Sequence, residues 1–108
     1  MNPLIHGTVE SLILRTIEAE PRHGYGIARY LEEASPEHLT VGEGSLYPAL
    51  YRMERKGWIQ SEWRASELGR RAKFYRMTPQ GRKQLAAERA KWQSFAAAVS
   101  RVLLTSDK

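Results

Sequence analysis

Residues 58–77 constrain the fold more than any other stretch. Two runs rich in aromatic and β-branched residues, Trp58 to Trp63 and Ala72 to Met77, flank a polar, glycine-containing tip from Arg64 to Arg71. That arrangement predicts a β-hairpin. Thr78-Pro79 follows at once. Threonine is a favoured N-cap and proline suits the first helical position, so a helix starts there. Just upstream, Lys56-Gly57 closes another helix.

The earlier residues supply the remaining helices. After a short lead-in from Met1 to His6, Thr8 is placed to cap a helix whose apolar series is Val9, Leu12, Ile13, Thr16 and Ile17. Leu14 falls off that stripe and predicts a second buried side. Glu20-Pro21 ends the helix. A second helix starts at His23-Gly24-Tyr25-Gly26, with Ile27, Tyr30, Leu31 and Ala34 inward, and stops at Ser35-Pro36. Leu39-Thr40-Val41 reads as a short strand. A third helix runs from about Gly44 to Lys56, with Leu46, Ala49, Leu50 and Met53 inward. Pro48 fits only in or just after its first turn. The order is helix, helix, short strand, helix, hairpin, long helix. This is a mainly α fold with a small β-hairpin wing: a winged helix-turn-helix over residues 1–78, then a long helix over residues 79–108.

Charge is divided unevenly along this frame. The whole chain carries 17 Lys plus Arg against 12 Asp plus Glu. Residues 1–51 hold 3 basic and 7 acidic side chains, whereas residues 52–91 hold 12 basic and 4 acidic. One region is therefore strongly cationic, as a polyanion-binding surface requires. A merely solvated helix face is the alternative, but several of these charges fall in the hairpin. On the third helix, Ser45, Pro48, Tyr51, Arg52 and Arg55 share the side opposite the apolar one, and Tyr47 lies on the flank. An α-helix fits the major groove of B-DNA, where base edges carry a distinct donor and acceptor code. Ser45 at the helix start suits a phosphate. Tyr51, Arg52 and Arg55 reach base edges or phosphates. The hairpin adds Arg64, Arg70, Arg71, Lys73 and Arg76. Cations on a wing bind the sugar–phosphate backbone and release counterions. Protection of an exposed strand edge accounts for one or two such charges, not five.

The last helix, carried from Pro79 to about Leu104, is apolar beyond what one small domain can cover. Leu85, Trp92 and Val99 recur every seven residues, with Phe95 and Val102 between them and Leu103 beside them. A second copy of the chain, packed along Leu14, Leu85, Trp92, Phe95, Val99, Val102 and Leu103, would cover that surface. Packing within one chain is the alternative. Trp92 serves packing or, alternatively, flanks a ligand cavity between subunits.

Other chemistries lack residues. There is no cysteine, which removes disulfides and thiolate metal sites. His6, His23 and His38 match no metal spacing, and no phosphate-binding glycine loop is present. His23 reads as a helix-start or packing residue, and Gly24-Tyr25-Gly26 as permitting close helix approach. Ser45 has no evident base. The expectation is a non-enzymatic cytoplasmic protein, without cofactor or metal, and with neither signal peptide nor membrane span.

Four segments carry a resemblance. His23-Gly24-Tyr25-Gly26-Ile27, Glu43-Gly44-Ser45-Leu46-Tyr47-Pro48-Ala49-Leu50, Met53-Glu54-Arg55-Lys56-Gly57-Trp58-Ile59 and Tyr75-Arg76-Met77-Thr78-Pro79-Gln80-Gly81 resemble the PadR family of bacterial transcriptional regulators. The likeness runs from about Gly7 to Leu104. It is nearest to small members with a single C-terminal helix, and to the acidobacterial type among them. It implies a homodimer that binds a palindromic double-stranded DNA operator, usually as a repressor, and that releases DNA on binding a flat hydrophobic or aromatic effector. By the family pattern, Ser45, Tyr47, Pro48, Tyr51 and Arg52 match the recognition helix, and Arg64 to Lys73 matches the wing. By the same likeness, Trp92 falls on the helix that lines the central cavity in some small members of the family. A winged helix used only for binding protein is the competing expectation.

Overall fold

The computed structural model describes residues 8–106; the expected lead-in from Met1 to His6 lies outside the described residues. Seven elements follow in order: α1 (Val9–Thr16), β1 (Arg22–His23), α2 (Gly24–Ala34), α3 (Glu43–Arg55), β2 (Ile59–Ala65), β3 (Arg71–Met77) and α4 (Pro79–Leu103). The strands form one antiparallel sheet in the order β1-β3-β2. Helical spacing brings Ile13, Ile27, Leu31, Leu46, Leu50 and Met53 together, and the sheet adds Ile59, Tyr75 and Met77.

Several expectations are corrected. Leu39-Thr40-Val41 forms no strand. The amides of His38 and Leu39 both bond to the Ser35 carbonyl, which makes a turn, and Val41 then drops into the core. The third strand is instead β1, pairing Arg22 with Tyr75 and His23 with Phe74. The first helix ends at Thr16, before Glu20-Pro21. There the Thr16 carbonyl accepts from Arg22 Nε at 2.8 Å in place of a following helical amide. Thr8 stands at the N-cap position, but its side chain makes no capping hydrogen bond. Ala34 is exposed, not inward. The third helix begins at Glu43, so Pro48 sits in the second turn; with no N–H it leaves the Gly44 carbonyl without its helical donor. Strands β2 and β3 extend further than expected. Arg64 and Arg71 therefore belong to strands, and the tip shrinks to residues 66–70, closed by Ser66 N–H donating to the Arg70 carbonyl at 2.7 Å.

The passage from sheet to α4 is the tightest joint. Thr78 Oγ1 lies 2.7 Å from the Gly57 carbonyl oxygen and 3.0 Å from that of Trp58, and shares its proton between them. It also accepts from the Gly81 amide at 3.0 Å, so it caps α4 as expected. Gly57 turns with φ +81°, the left-handed region that favours glycine. A Cβ on Gly81 would lie 2.1 Å from the Trp58 carbonyl oxygen.

From that joint the first turns of α4 lie along α1. Ser11 Oγ donates to Glu88 at 3.1 Å, and Arg89 grips Glu18 at 2.8 and 3.3 Å. The Arg89 hydrogen bond holds the Glu18 carboxyl below its ordinary 4.5. Leu85 is buried here, as is Leu14 on α1. Both were expected to meet a second subunit, but their own chain covers them: Leu14 falls where α1 is enclosed on two sides, and Leu85 lies on the docked portion of α4. The rest of α4 projects from the body. Trp92, Phe95, Val102 and Leu103 are more than half exposed, and Val99 is 36% exposed.

Gly81→Ala is expected to lower unfolding stability by roughly 1–3 kcal/mol or more, since the added methyl meets backbone. Thr78→Ala should cost about 1–2 kcal/mol through the lost cap. Urea melts of both variants check this; an unchanged midpoint for Gly81→Ala would refute the close approach.

Candidate nucleic-acid interface

Helix α3 has one buried side and three accessible ones. Leu46, Ala49, Leu50 and Met53 face the core. Directly opposite, Gly44, Pro48, Tyr51 and Arg55 are exposed, and the Arg55 guanidinium lies 5.7 Å from the centre of the Tyr51 ring. The flank toward the sheet carries Tyr47 and Glu54. The flank toward α1 carries Ser45, Arg52 and Lys56.

Each flank is tied down by a carboxylate. On the sheet side, Glu54 accepts from Ser61 Oγ at 2.6 Å and pairs with Lys73 Nζ at 3.7 Å. On the α1 side, Glu10 accepts from Arg52 Nε at 2.9 Å and from Lys56 Nζ at 3.2 Å. Lys56 also sits 4.4 Å from the Trp58 ring centre. Arg52, grouped by spacing with the outward residues, thus stands on a flank and is engaged by α1. Ser45 is half-buried on the same flank.

Register divides the wing into two faces. Ser61, Trp63 and Ala65 lie opposite Tyr75, Lys73 and Arg71. This face meets Glu54 of α3, and Arg71 stacks 5.7 Å from the Trp63 ring centre. The other face carries Arg76, Phe74 and Arg64, with the Arg64 guanidinium 4.1 Å from the Phe74 ring centre. Arg70 stands at the tip. The five wing cations therefore do not act as one patch: Arg71 and Lys73 lie on the face toward α3, Arg64 and Arg76 on the reverse. Among the described residues, Arg55, Arg64, Arg70, Arg71 and Arg76 make no ion pair.

The start of α2 completes the surface. His23 Nδ1 accepts from the Gly26 amide at 3.0 Å, and its ring meets Phe74 edge-on. It is both the helix-start and the packing residue that the sequence suggests. A Cβ on Gly24 would lie 2.6 Å from the Tyr47 hydroxyl oxygen. Glycine there lets Tyr47 lie across the start of α2, 45% exposed. Burial, and then the charge of Glu54, raise the Tyr75 phenol above its ordinary 10.0.

An outward helix side with an arginine and a tyrosine, beside a hairpin face with Arg71 and Lys73, suits an anionic double helix. The chain matches the "Transcriptional regulator PadR-like family" over residues 13–87. It belongs to that family. A PadR-like transcriptional regulator from Bacillus cereus superposes with a TM-score of 0.83 at 31% identity, covering 95% of this chain and 98% of the other. A transcriptional regulator from Clostridium thermocellum gives 0.83 at 27% identity, covering 93% and 97%. A transcriptional regulator of Mycobacterium tuberculosis is 38% identical over 65 residues, 60% of each chain. This PadR-like chain is accordingly a DNA-binding transcriptional regulator with a winged-helix fold. No helix among the described residues is long and apolar enough to cross a membrane, and no group of three or more potential metal ligands occurs among them.

Glu10 and Glu54, which organise the two flanks, were not singled out by the sequence. A usable signal exists for Glu10: Arg52 and Lys56 are four apart on one flank, so a single carboxylate can take both.

Absorbance at 295 nm should show one tyrosine titrating above 10, and Glu54→Gln should bring it part of the way down. Because the folded value is raised, the stability that neutral Tyr75 contributes is complete below pH 10 and is lost as pH climbs through the raised value. Tyr75→Phe should abolish that alkaline loss; a melt series that keeps it would disprove the assignment.

Proposed function

We propose that this PadR-like regulator is a homodimeric repressor of a palindromic operator. The carrying observation is that Arg55 on the outward side of α3 and Arg64, Arg70, Arg71 and Arg76 along the wing make no ion pair among the described residues. Pro48, Tyr51 and Arg55 enter the major groove, with Tyr47 and Ser45 at its edges and Arg52 on the α1 flank. Arg70 and Arg71 contact the backbone or minor groove beside it, and Lys73 and Arg64 support the hairpin on its two faces. Residues 1–78 serve DNA, and residues 79–108 serve association, although the first turns of α4 share the core of the former.

Association is supported by the projecting half of α4. Trp92, Phe95, Val99, Val102 and Leu103 form an apolar series that the chain itself leaves uncovered, larger than isolated surface apolar residues would make. Trp92 and Phe95 lie ring to ring, with centres 6.0 Å apart. In a dimer this pair is the place for a flat hydrophobic effector, which would alter the spacing of the two reading helices and release DNA. The setting is the cytoplasm, and neither cofactor nor metal takes part.

Selection of bound fragments from random DNA should return an inverted repeat with half-site centres about 34 Å apart or a multiple of that. Recovery of no enriched sequence would favour a protein-binding role. Arg70→Ala and Arg71→Ala should weaken binding to all sequences and each reduce the salt slope by about 1. A loss confined to the operator would reject the backbone role. Trp92→Glu should sediment as a monomer with poor operator affinity; a dimer of normal affinity would reject the interface.

A further inference from the structure

The ion pairs around α3 are distributed unevenly, and the α1 flank shows the strongest arrangement. Glu10 lies in the first turn of α1, where the positive end of the helix dipole favours a carboxylate. Its two oxygens take two different cations of α3, Arg52 at 2.9 Å and Lys56 at 3.2 Å. The carboxylate side chain is only 23% exposed, whereas those of Arg52 and Lys56 are 53% and 47% exposed. Arg52 is held through Nε. Its terminal Nη groups have no protein partner among the described residues. The guanidinium is thus steadied at its inner nitrogen while the outer fork remains open.

We infer that Glu10 is a positioning and specificity-determining residue that acts through Arg52 and Lys56. The inference rests on the DNA-binding reading of α3. A carboxylate beside two cations subtracts from the attraction that any phosphate backbone exerts, whatever its sequence. Phosphate attraction dominates binding to random DNA through counterion release. Neutralising the flank therefore lowers random-sequence affinity. At the same time the fixed Nε contact directs the Arg52 fork toward one location, which favours a site that places an acceptor there. Glu10 thus raises the ratio of operator to random binding without touching DNA. Its effect on folding is small, because partly exposed pairs contribute about 1 kcal/mol or less.

The test compares the full chain with Glu10→Gln, and with Glu10→Gln placed on Arg52→Ala plus Lys56→Ala. Each is titrated with a random-sequence duplex and with the duplex recovered by selection, over a range of salt. Glu10→Gln should bind the random duplex roughly tenfold more tightly at 0.1 M salt, with a slope steeper by about 1 to 2. Its operator-to-random ratio should fall. In the Arg52→Ala, Lys56→Ala background the substitution should leave the salt slope and the operator-to-random ratio unchanged, with at most a small uniform gain from the lost negative charge. A purely structural Glu10 would weaken both duplexes alike and leave the slope unmoved, and that result overturns the inference. So does a change in slope or ratio that persists without Arg52 and Lys56. If the unaltered chain binds neither duplex at 50 mM salt, the DNA-binding reading fails and the inference with it. If that chain binds and Glu10→Gln matches it in slope and ratio, the inference alone fails.

Discussion

The contact between the Thr78–Gly81 turn and the Gly57–Trp58 backbone fixes the relation between the reading helix, the wing and the long helix. Three segments meet within a few ångströms: the end of α3, the outer ends of β2 and β3, and the start of α4. The Thr78 hydroxyl satisfies two carbonyls and one amide there. Gly81 removes the side chain that would hold the backbones apart. Gly57 supplies the left-handed turn that sends the chain from helix to strand. A buried hydroxyl with all its partners present is strongly directional. The direction of α4 is consequently set relative to α3.

Around that rigid centre the charges are sorted. Glu10 and Glu54 offset charge on the two flanks of α3, whereas the outward arginine and the wing arginines make no ion pair among the described residues. Part of the excess base is therefore concentrated on the outward side of α3 and the wing. Concentration matters because screening limits each exposed charge to about a Debye length, roughly 8–10 Å in ordinary salt. Aromatic rings beneath Arg55, Arg64 and Arg71 keep those guanidinium groups against the protein surface without consuming their charge.

Helix α4 belongs to two environments. Its first turns complete the core through Leu85 and clamp α1 through Glu88 and Arg89. Its later turns leave the body altogether and carry the chain to a length of 61 Å. A helix of 25 residues is about 37 Å long, more than a core of this size can cover. The uncovered portion is where Trp92 and Phe95 lie.

By itself the amino-acid sequence determined the order of the four helices and the hairpin, the inward residues of α2 and α3 (Ala34 aside), the Thr78 cap and the likeness to the PadR family. Each of these is written in local spacing or in a short contiguous motif. The tertiary structure decided what spacing cannot encode. It placed Arg52 against Glu10, forty-two residues away, and Lys73 against Glu54. It split the wing cations between two faces once the register was set, because successive strand residues point to opposite sides. It enclosed Leu14 and Leu85, and it recruited Arg22–His23 to the sheet in place of residues 39–41. Periodicity tells which side of an element is apolar; only the packed neighbours decide which of the remaining sides is free.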